Sequence, residues 1–188
     1  MWKKVFAVFP ILGAAVLMPA VLRAAEPFAL TSGAFKDGDV MAPKYAGAHP
    51  GRTCGGENIS PPLSWSNAPE KTQSFAMIVF DPDGGRGIGS VHWVAYGIPA
   101  NKTSFAEGEA GAPPKDHVGG KNNVGTNYYF GPCGPPGDSL HHYIFTVIAT
   151  DLAPDALPPG LSRDELLEKL RGRALAPASI VGKYVRKE

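Results

Sequence analysis

The chain reads as a mainly β protein, and three observations predict it. Glycine and proline are abundant, 23 and 19 in 188 residues, and they are spread along the chain instead of gathered in one tail. That punctuation fits short strands joined by tight turns. Three apolar runs at 74–80, 91–98 and 143–150 are rich in β-branched and aromatic side chains, as strands are. One segment near the C-terminus carries a helical signature instead.

The elements follow in order. Trp2-Lys3-Lys4 is a basic start, Val5 to Leu22 is uncharged and mostly apolar, and small residues follow at Ala24-Ala25. This is the order and length of a secretory signal. Pro10 and Pro19 oppose a stable spanning helix, although the run is long enough to leave an uncleaved anchor as the alternative. The cleavage point is poorly marked, because Arg23 or Leu22 stands where a small residue is expected. Removing residues 1–25 leaves 26–188 as one domain, long enough to bury a core. Lys3, Lys4 and Arg23 leave with the signal, so the formal charge falls from +1 to −2, 15 basic against 17 acidic residues. No basic stripe remains, which argues against a nucleic-acid partner. The expected location is periplasmic or secreted, with membrane contact only through an uncleaved signal.

Phe28-Ala29-Leu30-Thr31 is the first candidate strand, and Lys36 to Asp39 a turn. Ala46 to Pro62 reads as a long loop. Leu63-Ser64-Trp65 alternates apolar with polar, as a half-buried strand does. Ser74 to Phe80 is a nearly continuous apolar run, short and bounded by turn residues, which predicts a strand buried on both faces. Val91 to Ile98 and Tyr143 to Thr150 are the other strong strands. Asn101 to Tyr128 is long and polar, a length usually functional or mobile. Ser162-Arg163-Asp164-Glu165 is a capping box that opens a helix, with Leu161 and Leu166 as a hydrophobic staple. Leu166, Leu167 and Leu170 form its apolar face, read as core packing, and Gly172 stops it. Ser179 to Val185 closes the chain as a strand.

Two cysteines survive export, Cys54 and Cys133, both in Gly/Pro-rich loops. An even count in an oxidising compartment favours a disulfide over a catalytic or metal-binding thiol, and no Cys-x-x-Cys occurs. The bridge would close a loop of about 80 residues, worth about 4.5 kcal/mol on the chain-entropy view.

Two loops then read as the walls of one pocket. Asp81-Pro82-Asp83-Gly84-Gly85 follows a buried strand, with His92-Trp93 shortly after. Tyr129 to Gly137 is turn-rich and leads to His141-His142-Tyr143. Each half alone also reads as a turn beside a core strand. Alternation puts His141 and Tyr143 on one face and sets His142 aside as a solvated neighbour. Imidazoles oriented by carboxylates, with a phenol, can hold an anionic head group.

These residues resemble the phosphatidylethanolamine-binding protein family, in its bacterial, Raf-kinase-inhibitor-like branch. Phe28 to Ser32 with Phe35-Lys36-Asp37-Gly38 resembles the family's opening, and Asn58 to Trp65 its loop-and-strand signature. Asp81-Pro82-Asp83 with His92-Trp93 resembles its first named region, and Tyr129 through His141 with Tyr143-Ile144-Phe145 its second. The resemblance implies a β-sandwich of two antiparallel sheets with a short helix near the C-terminus. It also implies a small anion pocket lined by Asp81, Asp83, His92, Pro135, His141 and Tyr143, with backbone donors near Cys133 and Gly134. The chain departs from the pattern at Gly84-Gly85, at Ser90-Val91 and at Gly134-Pro135-Pro136-Gly137, where the usual lysine is missing. Those departures predict a smaller, looser wall and an altered anion site.

The leading expectation is an exported binding protein without catalysis or cofactor. It would take a small anionic ligand, phosphate or a phospho head group, and act as an inhibitor or modulator of a partner protein. One alternative is a metal-dependent or Ser/His hydrolase, since imidazole plus carboxylate suits zinc or iron and Ser90 and Ser139 lie near histidines. Against it, no His-Glu-x-x-His or Gly-x-Ser-x-Gly occurs. The other alternative is an extracellular interaction module acting through the 101–128 loop.

Overall fold

The computed structural model of the protein describes residues 1–2, 26–49 and 52–186. Residues 3–25, which carry the expected export signal, lie outside the described residues.

Two antiparallel sheets form the body, as expected. The larger is built from β5 (Ser74–Asp81), β6 (Ser90–Pro99), β8 (Val118–Gly119), β9 (His141–Thr150) and β10 (Ala174–Tyr184), in the order β10-β9-β5-β6-β8. The smaller joins β1 (Ala29–Thr31), β4 (Leu63–Ser66) and β7 (Ser104–Phe105), in the order β1-β4-β7. A separate pair, β2 (Ala48–His49) and β3 (Arg52–Thr53), stands apart.

The sequence of β5 explains the layering. Phe75, Met77 and Val79 face the small sheet and pack with Trp93 and Phe145 against Leu30, Leu63, Trp65 and Phe105. Ala76 and Ile78 face the other way and meet Val94, Tyr96 and Ile148. That second face is covered by helix α1 (Arg163–Leu170) through Leu166 and Leu170, with Leu161 and Leu167 packed alongside. A central strand covered on both sides needs apolar residues at every position, which is why the run is continuous. In β4, covered on one side, Leu63 and Trp65 are buried while Ser64 and Ser66 are exposed.

The start of α1 follows its sequence. Ser162 Oγ accepts from the Glu165 N–H at 3.3 Å, and Glu165 Oε2 accepts from the Ser162 N–H at 2.8 Å. Gly172 follows the helix with φ of 71°, a left-handed conformation that glycine adopts without strain.

Three expectations are corrected. The 46–62 segment holds the short β2–β3 pair. The 101–128 segment is not a free loop: β7 pairs with β4, β8 pairs with β6, and Phe105 is a core residue. Strands two residues long have no period for a sequence to display. The last strand begins at Ala174, five residues early, and runs through Pro177. β10 is an edge strand, where proline's missing N–H is tolerated.

Candidate functional site

Because β5 runs antiparallel to both β6 and β9, its end lies beside their beginnings. Asp81, His92 and His141 therefore meet at one end of the large sheet. They border a cavity of about 390 Å3, closed by the Gly84–Arg86 turn on one side and by Phe130, Cys133, Gly134 and Pro135 on the other.

Asp81 is the hub. Its carboxylate is buried, and Oδ1 accepts from the N–H groups of Asp83 at 2.9 Å and Gly84 at 3.0 Å. Oδ2 accepts from His141 Nδ1 at 2.8 Å and lies 4.0 Å from His92 Nε2. A buried carboxylate needs such partners, and here the turn it sits in supplies two of them. Gly84 makes this close approach: a Cβ there would lie 2.7 Å from Ser90 Cβ and 3.0 Å from Asp81 Oδ2. At this departure the backbone is tight at Gly84.

His92 owes its position to an irregularity of β6. Phe80 pairs with Val91 and Val79 with Trp93, so His92 is the extra residue of a β-bulge. A bulge re-aims a side chain, and His92 joins Trp93 toward the inter-sheet side. Its Nδ1 faces the carbonyls of Phe130 at 2.8 Å and Gly131 at 3.1 Å, so that nitrogen carries the proton. Its ring stacks on Phe130 and meets Tyr143 edge-on. Burial holds the His92 pKa below the usual imidazole range, outweighing the carbonyls and Asp81. His92 is therefore neutral at pH 7, with Nε2 as an acceptor.

His141 is the opposite case. Its Nδ1 donates to Asp81 and its Nε2 lies 3.3 Å from Asp138 Oδ2. Burial pulls its pKa down, but the hydrogen bonds and charges of Asp81 and Asp138 prevail and raise it. Two carboxylates on one imidazole favour the imidazolium.

Of the eight predicted ligand residues, Asp81, His92, Cys133, Gly134, Pro135 and His141 line this cavity. Asp83 and Tyr143 do not. Asp83 Oδ2 instead accepts from the His142 N–H at 2.8 Å and His142 Nδ1 at 2.9 Å. That ring contact, ahead of the backbone one, holds the Asp83 carboxyl below the usual range. Alternation explains it: His142 points to the opposite face of β9, and Asp83 has turned to meet it. Tyr143 lies behind the imidazoles, its ring stacked near His141 and its hydroxyl buried with no partner at hydrogen-bond geometry among the described residues. Burial, then the nearby Asp81 charge, raises its pKa far above the ordinary value.

The predicted Cys54–Cys133 disulfide is present. It ties the second wall to the 46–58 segment, where Gly47 N–H donates to Pro132 O at 2.8 Å and Asn58 Oδ1 accepts from the Gly131 N–H at 2.9 Å.

Sequence reading missed three residues. Arg86 lines the cavity with φ of 63°, is exposed, and forms no ion pair among the described residues. The unusual Gly-Gly-Arg-Gly run was the signal, since glycines around one cation mark a turn that presents it. Asn122 is buried and binds His92 O at 3.3 Å and Tyr128 O at 2.9 Å, bracing the bulge. Asp138 borders the cavity from the second loop. Of the serines near histidines, Ser90 lines the cavity, but no serine hydroxyl hydrogen-bonds His92 or His141 among the described residues.

The described geometry has close relatives. The family model for phosphatidylethanolamine-binding protein matches residues 31–185. The UPF0098 protein of Methanothermobacter thermautotrophicus is 43% identical over 136 residues, covering 71% of this chain and 87% of its own. A putative lipoprotein, LppC of Mycobacterium tuberculosis, is 34% identical over 161 residues, 86% of this chain and 74% of its own. The crystal structure of Escherichia coli YbcL, described as a member of the mammalian PEBP family, superposes with a TM-score of 0.74 at 34% identity, covering 84% of this chain and 97% of that one. A family match over residues 31–185, with relatives above 30% identity over most of both chains, places this chain in the phosphatidylethanolamine-binding protein family.

Proposed function

We propose that this protein binds a small oxyanion, inorganic phosphate or the phosphate of a larger molecule, in the cavity between the Asp81–Ser90 turn and the Phe130–His141 loop, without catalysing a reaction. The observation that carries the reading is the pairing of donors at that cavity. Asp81 and Asp138 raise the pKa of His141 and so favour its imidazolium form, and Arg86 stands at the rim without an ion pair among the described residues. A charged donor and a free guanidinium suit an anionic oxygen. The hydrogen bonds of His92 and His141 go to carbonyls and carboxylates, so neither imidazole is engaged with a hydroxyl nucleophile. The same cavity would receive a phosphorylated or acidic group on a partner protein.

The protein acts outside the cytoplasm on this reading. The disulfide at the cavity wall belongs to an oxidising compartment, and the similar LppC is named a putative lipoprotein.

Calorimetric titration of the purified protein with phosphate tests the reading. Saturable binding is expected, weakened in Arg86→Gln and His141→Asn proteins that retain the wild-type melting profile. Absence of binding to phosphate, sulfate and carboxylates at millimolar concentration would end it.

A further inference from the structure

Asp138 belongs to the second wall, and its side chain is nearly half exposed. Its Oδ1 accepts from the N–H of Ser139 at 2.8 Å, and its own N–H donates to Pro135 O at 3.3 Å. The turn thus fixes one carboxylate oxygen and presents the other. That second oxygen lies 3.3 Å from His141 Nε2, the one nitrogen of this imidazole not engaged by Asp81. An incoming oxyanion needs the same donor.

We propose that Asp138 is the specificity-determining residue of the cavity. Its carboxylate stands in for a ligand oxygen on His141 Nε2, so that an oxyanion binds only by displacing it. The inference rests on the oxyanion reading of the cavity and adds an internal competitor to it. Asp81 and Asp138 together balance the charges of His141 and Arg86, which leaves the cavity with little net attraction for a simple anion. Displacement of Asp138 removes one of the two carboxylates from contact and restores that attraction. A ligand is then selected by how well it replaces a carboxylate oxygen already in place, and weak anions are refused.

The test uses the whole protein and inorganic phosphate. Asp138→Asn keeps the side chain's size and removes its charge, and Asp138→Ala empties the position. Both are expected to bind phosphate about fivefold more tightly than wild type, the upper range for a contact of this exposure. Proton NMR of the His141 ring should place its titration at lower pH in Asp138→Asn than in wild type, which reads the contact without any ligand. Measurable binding by wild type with equal or weaker binding by both variants overturns the inference and leaves the oxyanion reading standing. So does an unchanged His141 titration. Measurable binding by wild type with tighter binding by both variants supports it. Absence of binding in wild type and in both variants overturns the two readings together.

Discussion

At the scale of single residues, the site shifts two imidazoles in opposite directions around one carboxylate: Asp81 Oδ2 accepts from His141 Nδ1 at 2.8 Å and lies 4.0 Å from His92 Nε2. Burial against carbonyls shifts His92 toward the neutral form, while the carboxylates that bracket His141 shift it toward the charged form. These states make stability depend on pH in opposite senses. His92, and His117 buried beside Trp93 and Phe105, have depressed pKa values caused first by burial. Each contributes stability that is present above about pH 6.5 and lost as pH falls below it. His141 has a raised pKa, so its contribution is complete below about pH 6.5 and lost as pH rises through its folded value. Wild-type stability should therefore pass through a maximum near pH 6.5 and decline on the alkaline side. In His141→Gln the alkaline decline should disappear and the acid-side loss remain. Urea midpoints from about pH 5 to about pH 8.5 measure both limbs. An alkaline decline unchanged in the variant would show that His141 does not cause it.

At the scale of elements, what the sequence disclosed was whatever depends on local rules. The capping box, the leucine face of α1, the alternation in β4 and the two-sided burial of β5 were all legible. Each depends on period or on residues within one turn. The bulge that aims His92 was not, because a bulge exists only relative to the strand opposite and nothing in Ser90–Val94 marks an extra residue. Asp83 was misplaced for a similar reason, since its partner His142 lies on another strand 59 residues away. The strands of two residues were hidden by their shortness. The capping box also carries a prediction. Helix α1 lays Leu166 and Leu170 over Ala76, Ile78 and Val94, so fraying its first turn loosens the second core. Ser162→Ala removes the acceptor of the Glu165 N–H and should cost about 1 kcal/mol in urea unfolding. Ser162→Asp, which restores an acceptor at the N-cap, should recover most of it. Failure of Ser162→Asp to recover stability would mean that the cap is not the source of the loss.

For the whole molecule, the cavity has one wall made by the sheet and another made by a loop. The sheet wall, Asp81 to His92, is held by strand pairing on β5 and β6. The loop wall, Phe130 to Leu140, lies between named strands, and its hold comes from Asn58, Gly47, the His92 carbonyl and the Cys54–Cys133 bond. Cys133 is itself a lining residue, so the disulfide joins the fold's stability to the shape of the cavity. It spans 79 residues of sequence, which is long enough for a large effect on the unfolded chain. Replacing both cysteines by serine should cost about 2–4 kcal/mol, read from urea unfolding. The more specific expectation concerns binding. The serine variant should still fold, because neither sheet depends on the bond, yet bind phosphate several-fold more weakly, because the loop that carries Gly134, Pro135 and Asp138 loses its covalent tether. Reduction of the wild-type protein under native conditions should reproduce the weaker binding, and reoxidation should reverse it. Equal phosphate affinity in oxidised wild type and the serine variant, with the stability loss still present, would assign the disulfide to the fold alone and leave the loop wall to be held by its hydrogen bonds.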